Sequence, residues 1–390
     1  MIQPLGIIDG PAGALLLPPS MDTAAHERVL RGDGTALPAE WAFYERAVAG
    51  DRDGALAALG SDVRAAYNRF VLTGDAAEYA ALAPQLAGDE RLLLDAAAFA
   101  HGVIETPPAG AAGDPLVNAY LALDPFDETR APAAAEAVAG ISPLLAARLL
   151  VHCADHWASD EAQTDAALAV LERARALLSA HGFAVEAAGL ALRYGVLAHE
   201  RSAHRRDRLL AAVHAYQRAL QTFSKDGPRR EDYALAQMNL GLAYLALPMN
   251  DEAERLRPAI AIQSLREAAG ALDRRESPEL WAGATLNLAN ALQYVRSTHV
   301  EANLWESVAL YEEILPVLPA RDQLRKARVL ANEGNALAHL GAFSRAVPRL
   351  NEARAIFALT VDDDSTAAID ATLAEIAERA RAAEAANGRL

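Results

Sequence analysis

The segment 233–353 contains one two-part pattern three times, and this repetition restricts the possible folds of the chain more than any other feature. Each copy joins two stretches of helical periodicity through a polar break. The pairs are 233–244 with 259–268, 284–292 with 306–315, and 327–337 with 345–353. Neither helix of a pair can bury its apolar face alone, so stacked copies must share a continuous core. The pattern predicts an array of antiparallel helix pairs.

The second helix of each pair carries a small residue, a large residue four positions later, and a small or apolar residue three positions after that. These offsets place all three residues on one helix face. The large residues are Leu171, Tyr216, Leu265, Tyr311 and Leu350, which are separated by 45, 49, 46 and 39 residues. Five copies at such a period predict an all-α solenoid, which we expect to cover residues 141–361.

Three further segments flank this array. Residues 1–20 contain two short apolar runs around a turn sequence, which predicts a hairpin or an extended arm that could join two copies of the chain; a frayed terminus is the alternative. Residues 21–140 show irregular helical periodicity and are either degenerate repeats or a separate domain. Residues 362–390 predict a C-terminal capping helix, whose N-terminus Ser365 or a preceding Asp can cap.

The first helices resemble those of the tetratricopeptide repeat family. That family carries a Leu-Gly pair followed by Tyr three residues later, and Leu240 and Gly241 match this pair. The second copy has Ala289 in place of the Gly, and the third has Glu333 in place of the Leu before Gly334. The small residue lets the two helices of a repeat touch. The longer breaks in most copies resemble the extended repeats of large bacterial proteins.

This resemblance implies a right-handed superhelix whose first helices line a concave groove that binds a partner protein or peptide. The groove positions, carried over from the family, are Met238, Leu242, Leu245, Leu286, Asn290, Gln293, Tyr294, Arg328, Asn335 and His339. Some members of the family clamp a carboxylate with Asn and Lys residues. The matching Lys positions here hold Met238, Leu286 and Ala331, so we expect no such clamp and a groove suited to a helix or an apolar peptide.

Two histidines form the most suggestive local cluster of the chain. His152 and His156 are four residues apart, share a helix face and could bind one metal ion. Asp155, Asp160 or Glu161 could complete the ligand shell. No third ligand stands at a fixed spacing, so we interpret the pair as ordinary polar residues of a repeat helix and expect neither a metal nor another cofactor.

Charge and cysteine content restrict the class of partner. The formal net charge is −16, which argues against nucleic acid and against an anionic membrane surface. The acidic excess lies mainly in residues 1–160, with 22 Asp and Glu against 9 Lys and Arg; this region either attracts a basic partner or is a solvated surface. The single cysteine, Cys153, excludes an intramolecular disulfide and, with no apolar run of membrane-spanning length, favours a cytoplasmic protein. Ala richness and an excess of Arg over Lys suggest a GC-rich bacterial genome.

The chain contains no Gly-rich phosphate loop, no Gly-x-Ser-x-Gly and no His-Glu-x-x-His. We therefore expect a non-catalytic interaction scaffold or assembly factor rather than an enzyme. One alternative is a peptide-responsive regulator. Another is an enzyme-accessory or metal-handling protein that uses His152 and His156. A basic patch that includes Arg205 and Arg206 is either a contact for an acidic partner or a solvated loop.

Overall fold

The structure is a computed structural model that describes residues 7–10, 13–16, 41–48, 51–108, 115–123, 126–248, 256–295, 298–360 and 362–387. Over these residues the chain is helical apart from one hairpin and the connecting turns, which confirms the expected all-α class with a small addition. The chain forms two compact units, Met1–Leu197 and Ala198–Leu390. The segment boundaries predicted at residues 20, 140 and 361 lie inside one unit or the other and stay predictions.

Unit 1 contains short helices, followed by longer ones from residue 143 onward. They are α1 (Ala42–Val48), α2 (Arg52–Ala58), α3 (Val63–Thr73), α4 (Ala76–Leu82), α5 (Gly88–Ala100), α6 (Pro115–Leu123), α7 (Ala131–Val138), α8 (Pro143–Ala158), α9 (Thr164–Ala180) and α10 (Ala184–Glu200), the last of which crosses into unit 2. Buried side chains from Trp41 to Ala187 form one continuous apolar core. The described residues of the irregular helical region predicted at 21–140 therefore contribute to one core.

An antiparallel hairpin lies within the segment for which the sequence predicts a hairpin or an arm. Its strands are β1 (Ile7–Gly10) and β2 (Gly13–Leu16), with Ile7 opposite Leu16. Strand β2 contacts α3 and α5 of the same unit. The predicted association of two chains through this segment stays a prediction.

Unit 2 continues with longer helices. They are α11 (Arg206–Ala219), α12 (Arg230–Ala246), α13 (Arg257–Ala271), α14 (Pro278–Tyr294), α15 (Val300–Ile314), α16 (Gln323–His339), α17 (Phe343–Leu359) and α18 (Asp363–Asn387). Each packs against the next along the chain from α11 to α18. Asp362 accepts a hydrogen bond from the Ser365 N–H at 3.1 Å, so the Asp alternative for the cap of the last helix is confirmed.

Side-chain contacts show that α12 and α13 run antiparallel. Tyr233, near the start of α12, donates to Glu267 near the end of α13, while Arg257 at the start of α13 donates to the Leu247 carbonyl at 3.1 Å. The pair α16 and α17 has the same arrangement, because Lys326 pairs with Glu352 at 2.7 Å late in α17. These two pairs of consecutive helices thus have the antiparallel arrangement that the repeated pattern predicts.

The buried face of the second helices follows the predicted offsets of zero, four and seven. The five large residues, Leu171, Tyr216, Leu265, Tyr311 and Leu350, are all buried. So are the residues at the two small or apolar positions of every copy, namely Ala167, Ala174, Ala212, Ala219, Ala261, Ala268, Ser307, Ile314, Ala346 and Ala353. This part of the sequence prediction is confirmed at each position.

The small residues of the first helices permit a close approach of the two helices. A Cβ atom on Gly241 would lie 2.8 Å from Leu265 Cγ, and one on Gly334 would lie 2.6 Å from Leu350 Cγ. Both distances are shorter than a side chain tolerates, so only Gly fits at these positions without a shift of the partner helix. The large residue of the second helix occupies the space above the small residue of the first.

The first helices of unit 2 form a row. Helix α12 contacts α14, α14 contacts α16, and α16 contacts α18. The terminal helix α18 therefore takes the next place in this row after α16, as well as packing on α17. We call the solvent-facing side of α12, α14, α16 and α18, which carries Asn290, Arg328 and Asn335, the first-helix face.

Candidate functional site

The apolar residues predicted for the groove are half-buried and pack against the core of unit 2. Met238, Leu242 and Leu245 contact clusters that contain Leu265 or Ala268, and Leu286 contacts the cluster around Tyr311. These side chains stabilise the helix pairs and also supply the apolar floor of the first-helix face.

Asn290 is part of a polar network that holds neighbouring helices together. Its Oδ1 accepts a hydrogen bond from Asn332 Nδ2 of α16 at 2.9 Å and lies 2.8 Å from the Tyr311 hydroxyl of α15. The same hydroxyl lies 2.7 Å from Gln293 Oε1. Burial raises the pKa of Tyr311 above its ordinary range, so the hydroxyl stays protonated. Asn290 therefore has a structural role, because α14, α15 and α16 meet at its side chain.

Asn335 takes the equivalent place in the next copy but has no such partner. Its amide forms no hydrogen bond within the described part of the chain, and it lies half-buried beside a cleft of about 210 Å³. Gln293 and Tyr294 of α14 and His339 of α16 line the same cleft. Four of the predicted groove residues are thus brought together, with Tyr294 64% exposed at the edge.

The sequence prediction missed the other wall of this cleft. The lining is completed by Ala338 of α16, Phe343 of α17, and Thr372, Glu375, Ile376 and Arg379 of α18. Glu375 forms an ion pair with Arg379. The recurrence of Ile369 and Ile376 at seven residues signalled an apolar stripe on α18, which packs as a further first helix beside α16. A capping helix in that place closes one end of the first-helix face.

The predicted cation Arg328 is exposed on α16, one turn after Arg325. Neither guanidinium group has an ion-pair, hydrogen-bond or ring partner in the described residues. Arg325 extends towards α14, where its Nη2 would be 3.5 Å from a Cβ atom on Gly283. Lys326, on another face of the same helix, pairs with Glu352 instead. The first-helix face thus carries two cations, Arg325 and Arg328, that are not paired with any of the described residues.

Glu333, which replaces the Leu of the family pattern, is buried between α16 and α17. Its Oε1 lies 2.9 Å from Arg349 Nε, and its Oε2 has no hydrogen-bond partner. Burial raises the pKa of the Glu333 carboxyl, while the positive charge of Arg349 acts in the opposite direction. This carboxylate lies in the helix interface and contributes nothing to the surface of the cleft.

In unit 1, the two predicted metal candidates contact protein groups. The rings of His152 and His156 lie 5.7 and 5.9 Å from that of Phe126, and His156 Nε2 lies 2.7 Å from Glu128 Oε2. Asp155 pairs with Arg193. Across the described ranges, no group of three or more His, Cys, Asp or Glu side chains is arranged to hold a metal ion.

The surroundings of the buried Cys153 thiol and of the basic patch indicate structural roles for both. Burial raises the pKa of the Cys153 thiol to about 11, the opposite of the shift that a nucleophile needs. In the patch, Arg205 pairs with Asp207 at 2.7 Å, and Arg206 donates to the Pro248 carbonyl at 3.2 Å. No described helix has both the length and the apolar composition to cross a membrane.

Comparison with known proteins identifies no relative of this chain among protein families or curated sequences.

Proposed function

We propose that unit 2 is a non-catalytic binding module that holds a peptide segment of a partner protein on its first-helix face. The cleft formed by α14, α16, α17 and α18 carries this proposal, because it joins apolar side chains and the exposed ring of Tyr294 to a polar side chain, that of Asn335, which has no hydrogen-bond partner among the described residues. Phe343 and Ile376 offer apolar contact, while the Asn335 amide can donate to and accept from a peptide backbone. This combination suits a side chain anchored in the cleft and a main chain held beside it.

In this proposal the helix pairs belong to the tetratricopeptide repeat type and continue as a right-handed superhelix with a concave first-helix face. The antiparallel pairs and the Gly334 contact with Leu350 support the assignment. We also propose a cytoplasmic setting in a bacterium, since a single buried thiol at Cys153 fits a reducing compartment. The protein would act there as a scaffold or assembly factor without a cofactor.

An affinity capture from a lysate of the source organism tests the proposal. The full chain is compared with a groove variant, Tyr294→Ala with Asn335→Ala, neither of which removes a described structural hydrogen bond. We expect the groove variant to retain about a tenth or less of the captured partner, since exposed aromatic anchors dominate interface energies. Thermal unfolding of both proteins verifies that the fold is intact.

The matched control is Leu359→Ala, which removes a side chain that is 84% exposed on the second helix α17. This variant should capture the partner as wild type does. A partner that binds the groove variant and the control equally well, or no captured partner at all, would contradict a binding role for the first-helix face.

A further inference from the structure

The unpaired cations of α16 lie on the same stripe as the cleft. Arg325, Arg328, Asn332, Asn335 and His339 follow one another at intervals of three or four residues, which places them along one side of the helix. None of the five is fully buried, whereas Ala327, Val329 and Leu330 between them are. A segment bound in the cleft and running along α16 would therefore meet the two guanidinium groups.

Two carboxylates at this end of the stripe have partners other than the two guanidinium groups. Asp322 accepts a hydrogen bond from the backbone N–H of Arg325 at 3.2 Å and caps the helix. Glu279 of α14 lies 3.7 Å from Arg321, one turn before Arg325. In a chain of net charge −16, two arginines without a carboxylate partner on one stripe leave positive charge available for a ligand. Guanidinium groups bind carboxylates through two parallel hydrogen bonds, so these two arginines should favour carboxylates over other acceptor groups.

The spacing along α16 sets the spacing in the ligand. Arg328 and Asn335 are seven residues apart, which corresponds to about 10 Å along a helix at 1.5 Å per residue. An extended peptide covers the same distance in about three residues. A side chain anchored in the cleft beside Asn335 would thus be about three positions from a residue opposite Arg328.

We propose that the occupant of the first-helix face is an acidic peptide segment, with Asp or Glu about three residues from an apolar anchor. Arg325 and Arg328 pair with the carboxylates, and the cleft takes the anchor. Gly283 leaves room for the Arg325 side chain above α14. This inference rests on the proposed binding function and names the chemistry of the ligand. It adds acidic side chains to the helix or apolar peptide that the sequence predicts as the ligand.

Selection of random twelve-residue peptides displayed on phage against the full chain tests this inference. We expect enrichment of peptides with Asp or Glu three residues from a large apolar residue. Binding of a labelled selected peptide should weaken about a hundredfold in the double variant Arg325→Gln, Arg328→Gln, because each of the two lost charged contacts is worth roughly a tenfold change in affinity. The same peptide with its acids replaced by amides should show the same loss, and the two losses should not add. Affinity should also fall with salt.

Lys326→Gln is the control for a lost charge on α16, since it removes one positive charge from a different face of the same helix and should leave affinity unchanged. Peptides that lose binding in the Tyr294→Ala, Asn335→Ala variant but show no acidic preference and no response to the arginine changes would overturn the acidic ligand while keeping the binding function. Selected peptides indifferent to both variants, or no selected peptides, would overturn both.

Discussion

Glu333 and Arg349 form an ion pair inside the α16–α17 interface, with Arg349 Nε 2.9 Å from Glu333 Oε1. The equivalent positions in the two earlier copies hold Leu240 and Leu288, and all three positions are buried. A carboxylate at such a position needs a partner from the facing helix, because an unpaired buried charge is strongly unfavourable. Arg349 supplies that partner, which accounts for the departure of the third copy from the Leu pattern.

Removal of the arginine alone should destabilise the chain. We expect Arg349→Met to lower the free energy of unfolding of unit 2 by about 2 kcal/mol, less than for a fully buried pair because the arginine is partly solvated. Urea unfolding followed by circular dichroism measures this change. The double variant Glu333→Leu, Arg349→Met restores the Leu pattern and should recover wild-type stability or exceed it. Purely additive losses would show that the two side chains do not interact.

The same carboxyl should give unit 2 a defined pH dependence. Because burial raises the pKa of Glu333, the folded chain holds this proton more tightly than the unfolded chain. The protonated Glu333 carboxyl therefore contributes to the free energy of unfolding. This contribution is fully present below the ordinary Glu pKa and is lost as the pH rises through the raised pKa of the folded chain. The stability of wild type relative to Glu333→Gln should therefore fall as the pH rises through a range that begins near the ordinary Glu pKa of about 4.3. A difference that stays constant across this range would be inconsistent with a raised pKa.

The close approach at Gly334 gives a prediction on packing. We expect Gly334→Ala to destabilise unit 2 by about 1–3 kcal/mol, because its Cβ would meet Leu350 Cγ at 2.6 Å. Gly270→Ala is the matched control, since its Cβ would meet only Lys225 Nζ at 3.9 Å. The control should stabilise by about 0.5–1 kcal/mol through helix propensity. Equal effects of the two substitutions in urea unfolding would argue against the helix contact.

The sequence alone was sufficient to predict the helix pairs, because their buried positions follow from local periodicity. The spacing of the large residues from Leu171 to Leu350 and the small residues Gly241 and Gly334 can be read directly from the sequence. The same reasoning treated Asn290 and Asn335 as equivalent groove residues. Their difference depends on Tyr311, which reaches Asn290 from another helix. Such a contact follows from three-dimensional packing and has no local signal.

These two asparagines should therefore respond differently to the same substitution. We expect Asn290→Ala to lower the free energy of unfolding by about 1–3 kcal/mol, since Asn332 loses its acceptor and the Tyr311 hydroxyl loses one of its two neighbouring amides. Asn335→Ala should change it by less than about 0.5 kcal/mol, because no described hydrogen bond is lost. A larger loss of stability for Asn335→Ala than for Asn290→Ala in thermal or urea unfolding would reverse the assignment of their roles.

The wall of the cleft that α18 forms could not be predicted from the sequence patterns either. The periodicity of α18 predicts an amphipathic capping helix, but it does not say which side of α16 the helix covers. Ile376 and Arg379 enter the cleft because α18 takes the next place in the row of first helices. Placement of a terminal helix depends on the packing of both α16 and α17, which no single stretch of sequence encodes.

The burial of Cys153 predicts that its thiol reacts slowly with thiol reagents. With its pKa raised to about 11, the folded chain should react with a thiol reagent at pH 8 about a hundredfold more slowly than the urea-unfolded chain, since only the thiolate is nucleophilic. The absorbance change of an aromatic disulfide reagent measures the rate. Equal rates with and without urea would place the thiol at the surface and reopen a chemical role for it.

Site-specific photo-crosslinking tests the first-helix face most directly. Benzoylphenylalanine replaces Tyr294 at the edge of the cleft in one full-length protein, and Trp305, 41% exposed on the second helix α15, in the other. After irradiation in a lysate of the source organism, position 294 should yield a crosslinked partner that mass spectrometry maps to an acidic segment. Position 305 should yield little of it. A partner crosslinked from position 305 but not from position 294 would contradict binding on the first-helix face.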